Sequence, residues 1–542
     1  MERACGSINL LYSGHYCIES ERQTSRVKVR FGYKLSNWSR QIQPAFALFG
    51  CSQHIDERDS ATMDLGADAE GEMRNHCEIT TPNDLLEALG RYNPYLIFIT
   101  ASMSLIWGLT AMPIMISAFV VDGIACSAND TACMAEREQM ITITDEFHIH
   151  DTSALSPEWF SSAFWIGNIF GGPMFAYLAD RIGRKIIVIP SLFLLGLFSI
   201  PSLFVNSFAL VLATRFCQGF FFTASSFVVW TLASECISLR THAFASMMFG
   251  LSWVVGYCAV APVAYFVHSW RWVSFVAGMP CVLFAFIFWV IYPESLCFLI
   301  ERGKREEVQK WVRRAERPGR PIVYDVDKVI SHRMDDEVVP TEDFGLDNGH
   351  DKFLPFLAHN RIYIMYLAVA AYMWIADYLV YNGMSLFSTT LVGNPYLNYI
   401  LSGLVEIPAY LFTPELLNRC GRRMTVIISH LCTGVLLLSL YFTPQDLTGL
   451  YVTIWLCGKL AVSMSFICLM VYASEIFPTA VRNSCIGICS IFSNLGAVIA
   501  PHVRLLALIH PALPVILFGS VSVISAGTTL LLPETNHPHT QY

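Results

Sequence analysis

GNIFGGPMFAYLADRIGRK, residues 167–185, changes character part-way along. From Gly167 to Ala179 it is small and apolar, able to pack closely against a neighbouring helix in lipid. DRIGRK then places four charged side chains, Asp180, Arg181, Arg184 and Lys185, in six residues. A hydrophobic run that stops on such a cluster is leaving the bilayer on its cytoplasmic side.

The cluster returns. LNRCGRR, from Leu417 to Arg423, repeats the turn with Asn418 in the place of Asp180, an offset of 418 − 180 = 238. ASEC at Ala233–Cys236 recurs as ASEI at Ala473–Ile476, with Glu235 and Glu475 offset by 475 − 235 = 240. PES at Pro293–Ser295 recurs as PET at Pro533–Thr535, offset by 533 − 293 = 240. Landmarks that repeat at one interval, each at the end of an apolar run, imply two copies of one unit. Two half-bundles in parallel repeat form one plan for moving solutes across a membrane.

Composition points the same way. Of 542 residues, 54% are hydrophobic and 14% charged, and mean hydropathy is +0.48. A soluble domain carries about 25% charged residues. Runs of about 20 apolar residues can span a bilayer. Twelve are expected, at 94–120, 158–178, 187–206, 209–232, 244–266, 272–292, 362–386, 396–416, 424–443, 449–471, 483–502 and 513–532. The reading is an all-α membrane protein of two six-helix halves, 91–292 and 362–532. A polar tail at 1–90, a charge-rich linker at 293–361 and a short tail at 533–542 complete it. The stretch DLLEALGRYNP before the first span suits a short surface helix, and EEVQKWVRRAERPG in the linker an amphipathic one. The seventeen cysteines are scattered, mostly inside apolar runs, and read as small buried hydrophobes. No metal-ligand spacing, phosphate loop or catalytic constellation is legible, so an enzyme reading is weak and no cofactor, metal or nucleic acid is expected.

Basic residues set the orientation. Arg22, Arg26, Lys28 and Arg30 in the tail, DRIGRK, Arg240 and the linker's Arg302, Lys304 and Arg305 fall on one side. The opposite loops hold Arg137, Arg271 and Arg504. Both termini are therefore expected in the cytosol. The loop at 121–157 is acidic and faces the other side. There, Asn129-Asp130-Thr131 is a glycosylation sequon at Asn129, and Cys126 and Cys133 flank it. A disulfide or two free thiols both fit that pair.

Further motifs carry a resemblance. RFCQG at 215–219, VAYFVHSWRW at 263–272, YNGMSL, LVGNPYLN and SGLVEIPAY between Tyr381 and Tyr410, GKLAVSMSF and SEIFPTAVRN within 458–483, and TDEFHI at 144–149 stand beside LADRIGRK. Together they resemble the major facilitator superfamily and, within it, the solute carrier 22 family of organic cation, anion and zwitterion transporters. The likeness runs from about Asp84 to Thr535. The sequence departs from the family in its shorter first outside loop and in PESLCFLI at 293–300, where the family usually has PESPRWLL. The resemblance implies a plasma-membrane transporter that works by alternating access without ATP. Loop charges that pair in one state and part in the other would bias it. By that reading Asp180, Arg181, Gly183, Arg184, Glu235 and Arg240 would serve in one half, and Arg419, Arg422, Glu475 and Arg482 in the other.

Charges inside the spans are costly and mark functional candidates. They are Arg215, Asp377, Glu406 and Lys459. Trp374, Asp377 and Tyr381 recur at i, i+3 and i+7, on one helix face. A carboxylate with two aromatics suits an organic cation, and the pattern looks like the organic cation branch. Alternatively, Asp377 pairs with a neighbouring cation. Trp230 and Tyr257 could line the same cavity. Asn494 stands where cation carriers often have an acid and anion carriers an arginine, which suits a zwitterion or neutral solute. Glu406 reads as the partner of a basic group such as Lys459. The expected cargo is a small organic ion in a lipid bilayer, a cation in the leading reading. A zwitterion or anion, an ion-coupled sugar-like porter, and a non-transporting sensor or scaffold remain open.

Overall fold

The computed structural model describes residues 79, 81–90, 93–122, 131–149, 156–317, 322, 324–330, 349–444 and 446–535. Most of the basic tail, Cys126, Asn129 and residues 536–542 lie outside the described residues. Each expected span holds a helix. In the first half these are α1 (Pro94–Met115, carried on by Ser117–Val120), α2 (Trp159–Ile182), α3 (Arg184–Leu197), α4 (Phe208–Ser234), α5 (His242–Phe266) and α6 (Trp270–Ile291). In the second they are α7 (Arg361–Phe387), α8 (Pro395–Leu404, then Glu406–Cys420), α9 (Arg422–Ser439), α10 (Thr448–Ile476), α11 (Thr479–Ile499) and α12 (Leu513–Thr529). Among the described residues nine helical spans are long and apolar enough to cross a membrane, and α12 is a shorter apolar one. α2 and α9, more polar at the ends that carry the basic clusters, complete the two halves. Among the described residues the only β pairing is an isolated bridge between Ile141 and Ser269.

Local chemistry sets the ends. Asn93 caps α1 by accepting from Tyr95 N at 2.9 Å, and Asn394 caps α8 by accepting from Leu397 N at 3.0 Å; proline follows each cap. Within the first half, α2 lies against α4 so closely that a Cβ on Gly167, Gly171 or Gly219 would overlap the partner backbone. That is the use of the small residues between Gly167 and Ala179.

The repeated landmarks become one corner built twice. Gly183 (φ 122°) and Gly421 (φ 83°) turn the chain from α2 into α3 and from α8 into α9, in a region that favours glycine. Glu294 accepts from Arg184 N at 2.9 Å and Lys185 N at 3.0 Å, so the acid of PES satisfies the start of α3. Glu534, the acid of PET, accepts from Arg422 N at 3.0 Å at the start of α9. Arg184 reaches Glu235 at 3.1 Å, and Arg422 reaches Glu475 at 3.1 Å. Asp180 adds a 3.2 Å contact to Arg184, and its counterpart Asn418 carries no charge to do so. Burial pushes the Glu235 carboxyl up against the opposing pull of Ser295 and Arg184.

Of the two partners open to this corner, Arg184 takes Glu235, and Arg240 meets Glu87, at 3.3 Å, on the short helix Pro82–Ala88, where DLLEALGRYNP suits a surface helix. That helix lies inside the segment read as a tail, and Leu85 and Leu86 bury its apolar side. The linker also holds structure, with helices Leu296–Glu301, Arg305–Ala315 and Gly349–His359. Val308, Trp311, Val312 and Ala315 form the buried face of the second, and Asn93 Nδ2 donates to Ala315 O at 2.6 Å.

The bundle has a basic end, carrying these corners, and an acidic end, where the short helices Thr131–Gln139 and Ile143–Phe147 lie. At the acidic end Cys133 is disulfide-bonded. Glu146 accepts from Trp270 Nε1 at 2.6 Å and Arg271 Nε at 2.9 Å. Burial raises its pKa, but these bonds outweigh burial and hold the carboxyl below its usual range.

Candidate functional site

A cavity of about 180 Å³ lies between the halves and is lined from α1, α2, α4, α5, α7, α8 and α10. Its walls are aromatic. Trp107 meets Phe249 and Trp253 edge-on at 5.3 and 6.3 Å, and Trp230 meets Phe249 at 5.0 Å. Across the interface Trp165 meets Tyr378 at 6.1 Å, and Phe466 meets Tyr378 and Tyr381 at 5.2 and 5.9 Å. Hydrogen bonds fix the polar edges of the rings. Trp107 Nε1 donates to Ser226 O at 2.8 Å and Trp253 Nε1 to Tyr381 Oη at 3.1 Å.

Among the described residues, the charged side chain in this lining is Glu406. It begins the second segment of α8, after the helix breaks at Val405. Lys459 on α10 lies behind it, with Nζ at 3.4 Å from Glu406 Oε1. Nζ also donates to Ser385 Oγ at 2.7 Å and Tyr381 O at 3.3 Å, and sits 3.3 Å from the centre of the Tyr381 ring. Two opposite charges in one dry site leave it close to neutral. Ser385 Oγ and Tyr381 O share the ammonium with the carboxylate.

The other candidates separate into wall and core. Tyr381 and Trp230 line the cavity. Asp377 does not: it is 1% exposed and turned toward α9 and α10, where Ser465 Oγ donates to its carboxylate at 3.1 Å. His430 on α9 lies beside both, with Nδ1 at 3.6 Å from Asp377 and Nε2 at 3.0 Å from Ser465 Oγ. Trp374 packs in the core of the second half with Cys468 and Tyr472. The shared face inferred for Trp374, Asp377 and Tyr381 therefore divides. One residue advances a helix by about 100°, so Tyr378 reaches the cavity while Asp377, its neighbour, points past the wall.

Tyr257 is likewise behind the wall, fully buried and stacked on Tyr399 at 4.5 Å. Asn494 is 7% exposed and its Oδ1 accepts from Asn168 Nδ2 at 2.9 Å, which ties α11 to α2. Arg215 is 3% exposed near the acidic end of α4. It donates to Pro113 O at 2.8 Å and Gln218 Oε1 at 2.7 Å, and lies over the Phe160 and Phe164 rings at 4.3 and 5.0 Å. It braces α1, α2 and α4. Among the charges of the basic end, Arg181 lies over Tyr177 at 4.6 Å. Arg419 bonds Glu415 on its own helix, and Arg482 donates to Phe477 O at 3.3 Å.

Sequence reasoning missed most of the aromatic wall and the His430–Ser465 contact to Asp377. The signal for the wall was the recurrence of Trp and Phe along α1, α4 and α5, which in lipid reads equally as packing.

The two ends differ. At the acidic end Arg504, after α11, pairs with Asp122 after α1 and lies 3.6 Å from Glu158 at the start of α2. Ser162 Oγ donates to Val498 O at 2.7 Å, and Tyr396 Oη donates to Glu136 at 2.9 Å. The cavity lining runs the other way, through Trp230, Ser246 and Met470, toward the basic end.

Comparison with known proteins agrees with this architecture. The profile of the Major Facilitator Superfamily matches residues 139–501 and 397–540. Solute carrier family 22 member 15 of Xenopus tropicalis is 33% identical over 403 residues, covering 73% of this chain and 73% of that one. An organic cation transporter protein of Drosophila melanogaster is 30% identical over 380 residues, covering 69% of this chain and 68% of that one. A partially occluded, inward-open structure of the xylose transporter XylE from E. coli aligns with a TM-score of 0.61 at 17% identity, over 83% of this chain and 100% of that one, a likeness of fold. The chain therefore belongs to the Major Facilitator Superfamily, as a multi-pass membrane transporter of the solute carrier 22 type and not an enzyme.

Proposed function

We propose that this transporter carries small organic cations by alternating access, without ATP, in the plasma membrane. The observation that carries the reading is an aromatic cavity with Glu406 as the charged group in its wall. Ring faces attract a weakly hydrated cation, and a carboxylate in a dry site supplies its counter-charge. Tyr381 and Trp230 belong to this site; Asp377, Trp374, Tyr257 and Asn494 stand behind it as supports. The Drosophila relative described as an organic cation transporter favours the same class.

In this reading the basic end faces the cytosol, as do both termini, and the conformation is open inward. The corners at Asp180, Arg184 and Glu235, and at Arg422 and Glu475, would weight one state against the other. Asn129 would carry a glycan and Cys126 would be the partner of Cys133. A zwitterion is the second reading, favoured by Lys459, 3.4 Å from Glu406.

The test is uptake of labelled tetraethylammonium, a carnitine-like zwitterion, an aromatic carboxylate and a hexose in cells expressing the wild type or Glu406→Gln. The expected result is saturable ammonium uptake that falls about tenfold or more in the variant at equal surface level, since a lost charge-assisted contact is worth about 1.5–3 kcal/mol. Zwitterion uptake without ammonium uptake would favour the second reading. Carboxylate or hexose uptake alone would overturn both. No uptake, with the protein at the cell surface, would point to a sensor.

A further inference from the structure

We infer that Asp377, His430 and Ser465 form a proton-binding site inside the second half, separate from the substrate cavity and coupled to it through α7 and α10. Three helices bring the groups together, Asp377 from α7, His430 from α9 and Ser465 from α10, and their side chains are fully buried. The Ser465 hydroxyl reaches both carboxylate oxygens at 3.1 Å and the imidazole Nε2 at 3.0 Å, so it bridges two groups that can each hold a proton.

Charge decides how many protons the site holds. In hydrocarbon a net charge costs several kcal/mol. With no exchangeable proton beyond the neutral imidazole, the site is an anion; with two it is a cation. With one it is neutral overall, as a carboxylic acid beside a neutral imidazole or as a carboxylate beside an imidazolium. Among the described residues, the charges that α8 to α11 carry near it have partners of their own. On α10, Lys459 pairs with Glu406 at 3.4 Å and Glu475 pairs with Arg422 at 3.1 Å. On α9, Arg423 donates to Leu530 O; on the second segment of α8, Glu415 and Arg419 bond each other. On α11, Arg482 donates to Phe477 O at 3.3 Å. α12 carries no charged residue, and Arg361 stands at the far start of α7. Cys468 packs in the same core as a buried thiol. One proton is therefore what the site needs in the conformation seen here.

The link to transport is a shared seam. Asp377 is followed by Tyr378 and Ser465 by Phe466, and those two rings meet at 5.2 Å in the cavity wall. The proton site lies on one side of the α7–α10 seam and the substrate on the other. A rearrangement that admits water to Asp377 must move Tyr378 and Phe466. The proton then leaves to that water, and an O–H or N–H bond re-forms when the site closes. Acidification thus holds the chain in the present conformation and slows entry from the opposite side.

The site can be tested without a substrate, and so apart from the cation reading on which the transport arm rests. Infrared titration of the purified full-length protein between about pH 5 and 8, the range in which an imidazole switches, reads protonation of buried carboxyls directly. A carboxyl band present in the wild type, absent in Asp377→Asn and shifted in midpoint in His430→Asn is expected. Carboxyl, carboxylate and imidazole bands that titrate identically in all three would overturn the site. In cells, tetraethylammonium uptake by the wild type should fall several-fold from about pH 8 to pH 6, and His430→Asn should flatten the profile at equal surface level. An unaltered profile in His430→Asn would overturn the coupling. If Asp377→Asn fails to fold, the His430→Asn titration decides alone. If tetraethylammonium is not carried, the infrared result still decides the proton site, and the cation reading is what fails.

Discussion

Lys459 has no water to turn to, and that makes its carboxylate partner more than a neighbour. Glu406 is 1% exposed and Lys459 fully buried. Removing one member of such a pair strands the other charge and costs about 3–5 kcal/mol, whereas replacing both with groups of like volume is close to neutral. Lys459→Met should therefore lower the thermal midpoint of the purified protein markedly, and Lys459→Met with Glu406→Gln should recover most of the loss. Equal midpoints for the single and double variants would show that Ser385 and Tyr381, not Glu406, hold the ammonium. The sequence marked Glu406, Lys459 and Asp377 alike, because a charge in an apolar run is conspicuous whatever it faces. It could not rank them. Helical spacing tells which residues share a face, but only the packing of α7 against α9, α10 and α11 tells which face looks into the cavity. Asp377 and Tyr378 are adjacent in the chain and end on opposite sides of the wall.

The corner built by Gly183, Arg184, Glu235 and Glu294 shows how elements are joined. Its acid acts across a chain separation of 110 residues, and Glu534 acts across 112. The repeat of PES as PET was plain in the sequence, and the structure places its two acids at equivalent corners. Its role was not plain, because a carboxylate that caps a distant helix leaves no local signature of the kind that a capping Asn or Ser does. Glu294→Gln keeps the shape and removes the charge that strengthens two bonds to Arg184 N and Lys185 N. Each half should lose about 1–3 kcal/mol from its own corner. Glu294→Gln and Glu534→Gln should thus lower detergent thermal stability by similar amounts, and the double variant by their sum, since distant sites add. A change from Glu294→Gln much larger than from Glu534→Gln would mean that the corners are alike in form but not in load. The helical linker was half legible: the amphipathic stretch read from EEVQKWVRRA is the helix Arg305–Ala315, yet its docking through Ala315 O onto Asn93 depends on a contact across 222 residues.

At the scale of the whole molecule, the two halves are joined at the acidic end, and the closure there is electrostatic. Arg504 stands between Asp122 and Glu158, so one charge of the second half holds two of the first. Glu158 is 3% exposed, and Arg504, about a third exposed, shields it from water. A second cavity of about 260 Å³ lies beside this contact, lined by Ser117, Ser161, Thr389 and the three charged groups. Water and solute must pass here when that end opens, and the ion pairs must part first. Arg504→Gln removes the clasp, so the attraction that ties the second half to Asp122 and Glu158 of the first is lost, which favours separation. Each 1.4 kcal/mol lost from the closed state shifts the ratio of states about tenfold. The reporter is Ser161→Cys, placed in the lining of that cavity, in the purified protein. Its reaction with a water-soluble maleimide, after subtraction of labelling in the parent with serine at that position, should be at least several-fold faster in the Arg504→Gln background. An unchanged rate would mean that the neighbouring bonds from Ser162 and Tyr396 close this end without the arginine.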